Sequence, residues 1–135
     1  MTRTEARETA MQMLFQMETQ EDFSPEAKDA FLANFTEETD QLDYINQVYD
    51  AYSLHSDEID GLIEDSVKGW KLERLAKVDL AVIRLCIAEF KYKEGEAVPV
   101  NVAISEAVKM AKKFGGDDSG KFVNGILGGI SRKND

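Results

Sequence analysis

The residues best suited to chemistry lie late in the chain, in the run Phe114-Gly-Gly-Asp-Asp-Ser-Gly-Lys-Phe-Val-Asn-Gly125. Gly115, Gly120 and Lys121 fill the first three fixed positions of G-x-x-x-x-G-K-[ST], the loop that cradles nucleotide phosphates. The fourth position requires a hydroxyl that ligates magnesium, and Phe122 stands there. Asp117 and Asp118 would put two negative charges where phosphate oxygens belong. A phosphate loop also follows a buried strand, whereas Ala103 to Phe114 reads as a helix. The run is therefore read as a glycine-punctuated link between two helices. Asp117 or Asp118 is placed to cap the second helix, with Lys121 and Phe122 in its first turn. A cation beside an aromatic at an accessible helix start can pair with a phosphate while the ring stacks on an unpaired base. The competing reading makes Phe122 and Val123 ordinary core and Lys121 ordinary surface.

Other chemistries lack their parts. His55 is the only histidine and Cys86 the only cysteine, which leaves no His/Cys cluster for zinc. A nucleophile–histidine arrangement would have to use His55, which sits at a helix end where a histidine complements the helix dipole. Asp57, Asp60, Glu64 and Asp65 lack the glycine and alternating oxygen ligands of a calcium loop. The expectation is a protein that is not an enzyme, with no cofactor and no metal.

Charge narrows the partners. Residues 1 to 65 hold 17 acidic and 3 basic side chains, whereas residues 66 to 135 hold 9 acidic and 13 basic. A net charge of −10 argues against gripping duplex nucleic acid by charge alone, since phosphate contacts dominate that affinity. A basic patch can come only from the second half, with Arg3 and Arg7. No apolar run approaches the roughly 20 residues that span a bilayer, and no signal peptide is visible. Cys86 reads as a buried small hydrophobe, and a cytoplasmic location is expected.

These residues must be positioned by helices. Thr2 and Glu5 have capping-box spacing ahead of a stripe of Ala6, Ala10, Met13, Leu14 and Met17, and Arg3 and Arg7 share one face. Ser24 and Pro25 open a second helix, with Ala27, Ala30, Phe31 and Phe35 on its apolar face. A third runs from about Asp40 to Leu54, and a fourth, capped by Ser56 and Asp57, continues to Gly69. A fifth, from about Lys77 to Tyr92, is so apolar that it is expected at the centre, with Asp79, Arg84 and Glu89 as its little polar surface. Asn101 is expected to cap a sixth, and the last ends near Ile130. Strand signals are weak, and Pro99 demotes the one candidate, Val98 to Val102. The pattern predicts an all-α fold of about seven helices in a single domain spanning residues 1–135.

Four segments in order resemble the NusB family of bacterial transcription antitermination factors. They are Arg3-Thr-Glu-Ala-Arg-Glu-Thr-Ala10 with Met13-Leu-Phe15; Leu75 to Leu85 with Glu89-Phe90; Val98 to Ala107; and Lys113 to Gly125. The resemblance covers the whole chain, least well in the acidic stretch from Thr19 to Asp43. It implies two small packed helical bundles and a non-catalytic role. That role is binding single-stranded boxA-type RNA with the ribosomal protein NusE, and joining the RNA polymerase antitermination complex on ribosomal-RNA operons. Carried over residue by residue, it places RNA binding on Arg3, Arg7, Phe15, Asp118, Lys121 and Phe122, and the NusE contact on Asp79.

One departure matters: the family often carries a denser N-terminal arginine cluster, whereas Thr4 and Glu5 separate Arg3 from Arg7 here. Fewer phosphate contacts imply weak RNA binding by the chain alone and strong binding only with NusE. An adaptor working mainly through protein contacts, as a homodimer or ribosome-assembly partner, is the alternative. A third reading, the RNA-recognition part of a ribosomal-RNA methyltransferase, is disfavoured because no catalytic domain follows before Asp135.

Overall fold

A computed structural model describes residues 1–34 and 40–133. Seven α-helices, and no strand, occur among the described residues: α1 (Arg3–Gln20), α2 (Pro25–Ala33), α3 (Leu42–Leu54), α4 (Ser56–Ser66), α5 (Lys77–Ile87), α6 (Val100–Gly115) and α7 (Asp117–Lys133). A 3-10 turn, Leu72–Arg74, precedes α5, and a π-helical turn, Ala88–Tyr92, follows it.

Local sequence sets the first two starts. The Thr2 side chain accepts from the Glu5 N–H at 3.1 Å, and Glu5 accepts from the Thr2 N–H at 2.8 Å, which completes the capping box. Ser24 accepts from the Ala27 N–H, with Pro25 in the first helical position. Other starts differ from expectation. α4 begins at Ser56 and α6 at Val100, so neither Ser56 nor Asn101 acts as a side-chain cap. On α2, Ala27 and Phe31 are half-buried but Ala30 is exposed, and Phe35 lies outside the described residues.

α5 is the axis of the fold. It packs against α1, α3, α4, α6 and α7, and α6 and α7 pack closely on each other. Every residue from Asp79 to Glu89 is buried. Asp79, Arg84 and Glu89 are thus not polar surface, as the sequence had suggested. Arg84 pairs with Glu18 of α1 at 2.6 Å and Asp60 of α4 at 3.0 Å, and its guanidinium lies 5.0 Å from the centre of the Tyr52 ring. Breaking a buried pair by removing one partner leaves an uncompensated charge, so this cluster fixes three helices relative to one another.

Candidate nucleic-acid interface

α6 ends in Lys112, Lys113, Phe114 and Gly115, and α7 starts two residues later. Gly116 makes the corner with φ 98°, a backbone conformation that favours glycine. The expected cap from Asp117 or Asp118 is not made: α7 begins at Asp117, so both carboxylates lie in its first turn, where they complement the helix dipole. Lys121 and Phe122 fall just beyond that turn.

This corner gathers cations and rings. A methyl group on Gly120 would fall 2.5 Å from Lys112 Cγ, so the bare glycine lets the Lys112 stem lie across the start of α7. Lys113 Nζ sits 2.9 Å from Glu8 Oε2 of α1 and 5.4 Å from the centre of the Phe114 ring. Thr4 Oγ1 donates to Glu106 Oε2 at 3.5 Å. The two contacts, Thr4–Glu106 and Glu8–Lys113, advance together along both helices, so α1 and α6 run the same way. Phe15, two turns beyond Glu8 on the same side of α1, is thereby carried past the last turn of α6. Phe15 is 36% exposed and Phe114 38%. Lys112, Lys121 and Asp118 are exposed and pair with no described residue.

Phe122 is half-buried against the core and also lines a groove of about 530 Å³ with Trp70, Leu75, Asp79 and Ile126. Asp79 is only 7% exposed, and its Oδ1 has no hydrogen-bond partner among the described residues.

The N-terminal arginines are engaged elsewhere. Arg7 is buried and grips Glu89 through Nε at 3.0 Å and Nη2 at 2.7 Å, while the Tyr44 hydroxyl donates to Glu89 at 2.8 Å. Burial works against the Arg7 charge, but Glu89 outweighs it and the guanidinium pKa is raised. Burial, reinforced by Glu89, likewise pushes the Tyr44 hydroxyl well above its ordinary value. The Arg7 side chain is internal and paired with Glu89. Arg3 is half-buried, donates from Nε to Gln41 at 2.7 Å, and lies 4.2 Å from the centre of the Tyr44 ring.

The sequence reading missed Lys112, Lys113, Phe114 and Trp70 as site residues. Two lysines in a last turn look like ordinary complements to the helix dipole, and only their position against Gly115 and Gly116 marks them. His55 stacks on Tyr92 with ring centres 4.2 Å apart, away from this corner. Cys86 is buried, and that burial pushes its thiol pKa up, which removes it as a nucleophile. Among the described residues no group of acidic, histidine or cysteine side chains is arranged to hold a metal ion, and no helix is long and apolar enough to cross a membrane.

Comparison with known proteins agrees with this architecture. The NusB family model matches residues 4–132. The transcription antitermination protein NusB of Agathobacter rectalis is 45% identical over 130 residues, covering 94% of this chain and 97% of that protein. The structure of NusB from T. maritima superposes with a TM-score of 0.85 at 30% identity, over 98% of this chain and 92% of that one. A crystal structure of the antitermination factors NusB and NusE in complex with dsRNA matches with a TM-score of 0.81 at 26% identity, over 98% of this chain and 99% of that one. With the helical order, the central α5 and the glycine corner all in place, the chain belongs to the NusB family.

Proposed function

We propose that this chain is a non-catalytic transcription antitermination factor that binds single-stranded boxA-type RNA together with NusE and joins RNA polymerase on ribosomal-RNA operons. The observation that carries the reading is the α6–α7 corner, where Lys112 and Lys121 are exposed and unpaired among the described residues beside the exposed ring of Phe114. Cations that track a backbone and rings that stack on bases are the two parts that single-stranded RNA binding needs. The RNA face is Phe15, Asp118, Lys121 and Phe122, extended by Lys112, Lys113 and Phe114, with Arg3 at its margin. Arg7 acts from inside, by holding Tyr44 and Glu89. NusE contacts the exposed start of α5 around Asp79, at Ala76 and Lys77. Family membership and the solved complex of a NusB with NusE and dsRNA support the choice of partners.

A second reading, an adaptor that works mainly through protein contacts, is favoured by the engagement of both N-terminal arginines. A titration of boxA-like and scrambled single-stranded RNA, and of duplex RNA, with and without NusE separates the two. The antitermination reading expects weak binding by the chain alone and strong, sequence-dependent binding with NusE. Equal affinity for boxA-like and scrambled RNA in the presence of NusE contradicts it.

A further inference from the structure

We infer that Asp79 is a positioning residue for the RNA face, its buried carboxylate accepting the Ser119 hydroxyl across Gly115 as the complex with NusE and RNA assembles. That hydrogen bond fixes the first turn of α7, and with it Asp118, Lys121 and Phe122, to the first turn of α5. The inference rests on the RNA- and NusE-binding reading and deepens it by naming the internal contact through which the two surfaces communicate.

Three observations support it. The first is an acceptor. Asp79 lies in the first turn of α5 and is buried, and its Oδ1 is the one buried side-chain oxygen among the described residues without a hydrogen-bond partner. A buried acceptor is expensive to leave unpaired, so this oxygen calls for a donor from within the fold. The second is a donor. Ser119 is half-buried in the first turn of α7, and its hydroxyl pairs with no described residue. The third is the space between them. A methyl group on Gly115 would collide with the Ser119 side chain and lie 3.6 Å from Asp79 Oδ1, so the two side chains border the same small volume. Gly116 needs to be glycine for its positive φ, but Gly115 is the last residue of α6 and has no such φ. A bare Cα at Gly115 serves the approach of Ser119 to Asp79 instead of the turn.

Assembly supplies the drive to close this contact. Ala76 and Lys77 are exposed at the start of α5, where NusE is proposed to sit. A partner closing there takes Asp79 further from water, and a carboxylate with less water gains more from a donor in the protein. A change of Ser119 rotamer sweeps its hydroxyl through the volume beside Gly115. Ser119 and Phe122 are neighbours at i and i+3 on one face of α7, so holding Ser119 orients Phe122 and the adjacent Lys121. Such coupling is reciprocal: NusE raises the affinity for RNA by the same factor by which RNA raises the affinity for NusE.

The test measures the affinity for boxA-like single-stranded RNA with saturating NusE, and the affinity for NusE with and without that RNA. The parent chain is compared with Ser119→Ala, Asp79→Ala, the two combined, and Gly115→Ala. Each single variant should weaken RNA binding in the presence of NusE by about three- to thirtyfold. The combined variant should lose no more than the larger single loss, because both changes remove the same hydrogen bond. Gly115→Ala separates positioning from stability: its melting temperature should hold or rise, since alanine is the better helix former, while RNA affinity falls. The gain in NusE affinity on adding RNA should shrink by the same factor in each variant. If Ser119→Ala and Gly115→Ala bind RNA as the parent chain does, the contact is refuted while RNA binding at the corner stands. If only Asp79→Ala weakens binding, and does so by lowering NusE affinity without RNA, Asp79 acts by touching NusE and the inference is overturned. If the parent chain fails to bind RNA with NusE present, the inference falls together with the RNA reading.

Discussion

The start of α1 and the corner between α6 and α7 carry the same kind of charge in opposite settings. At the start of α1, Arg7 is enclosed with Glu89 and Tyr44, and Arg3 lies on the Tyr44 ring with Gln41 as its acceptor. At the corner, Lys112 and Lys121 point into solvent with no partner among the described residues, and only Lys113 is held, by Glu8. A cation contributes to nucleic-acid affinity only where the protein leaves its charge uncompensated, because that affinity comes from replacing condensed counterions. Arg7 organises the scaffold, whereas Lys112 and Lys121 face outward. Residue type alone would have assigned both to RNA.

The largest expected effect sharpens the first half of this comparison. Glu89→Ala leaves Arg7 buried without its counter-charge and should cost about 3–5 kcal/mol of stability, measured by the denaturant midpoint, with RNA affinity of the folded protein unchanged. A Glu89→Ala protein that unfolds at the parent midpoint and binds RNA more tightly would show that Arg7 is available to phosphate after all. Next is Phe122→Ala, expected to cost about 1–3 kcal/mol of RNA affinity if the ring stacks on a base. A lowered melting temperature with unchanged RNA affinity would assign Phe122 to the core alone. Smaller again, Lys121→Ala should weaken binding evenly across RNA sequences and lower the salt slope by about one. Lys113→Ala should do less, since Glu8 already meets its charge.

The smallest effect concerns pH. Hydrogen bonds with Thr2 hold the Glu5 carboxyl below its ordinary value of 4.5. Its contribution is therefore complete above that value and is lost as pH falls through the lower folded value. Acid titration followed by helix content should show fraying at the start of α1 in the parent chain, with the Glu5→Gln protein less sensitive over the same window.

What the sequence disclosed and what it hid divide by distance along the chain. The capping box at Thr2 and Glu5, the Ser24–Pro25 start, the central place of α5 and the glycine break after Phe114 depend on residues a few positions apart, and all were legible. Arg7 and Glu89 are 82 positions apart and Arg84 and Asp60 are 24 apart, so no local pattern reveals that these charges neutralise one another inside the fold. Asp79, Arg84 and Glu89 consequently look like surface from their local pattern alone. The groove was hidden for the same reason, since Trp70, Asp79 and Phe122 meet only when α5 and α7 pack. At the corner, the glycines were visible, but Gly116 rather than an aspartate forms the junction, because a φ of 98° disfavours a side chain there.

The central claim, that RNA is gripped at the α6–α7 corner and not by Arg7, is tested most directly by the salt dependence of RNA binding in the presence of NusE. The parent chain is compared with Arg7→Gln and with Lys112→Ala, Lys113→Ala and Lys121→Ala combined. The account expects the combined lysine variant to lose about two to three units of slope in log affinity against log salt, with Arg7→Gln, measured where it is folded, keeping the parent slope. A lysine variant with the parent slope, beside an Arg7→Gln protein that loses a full unit, would contradict it.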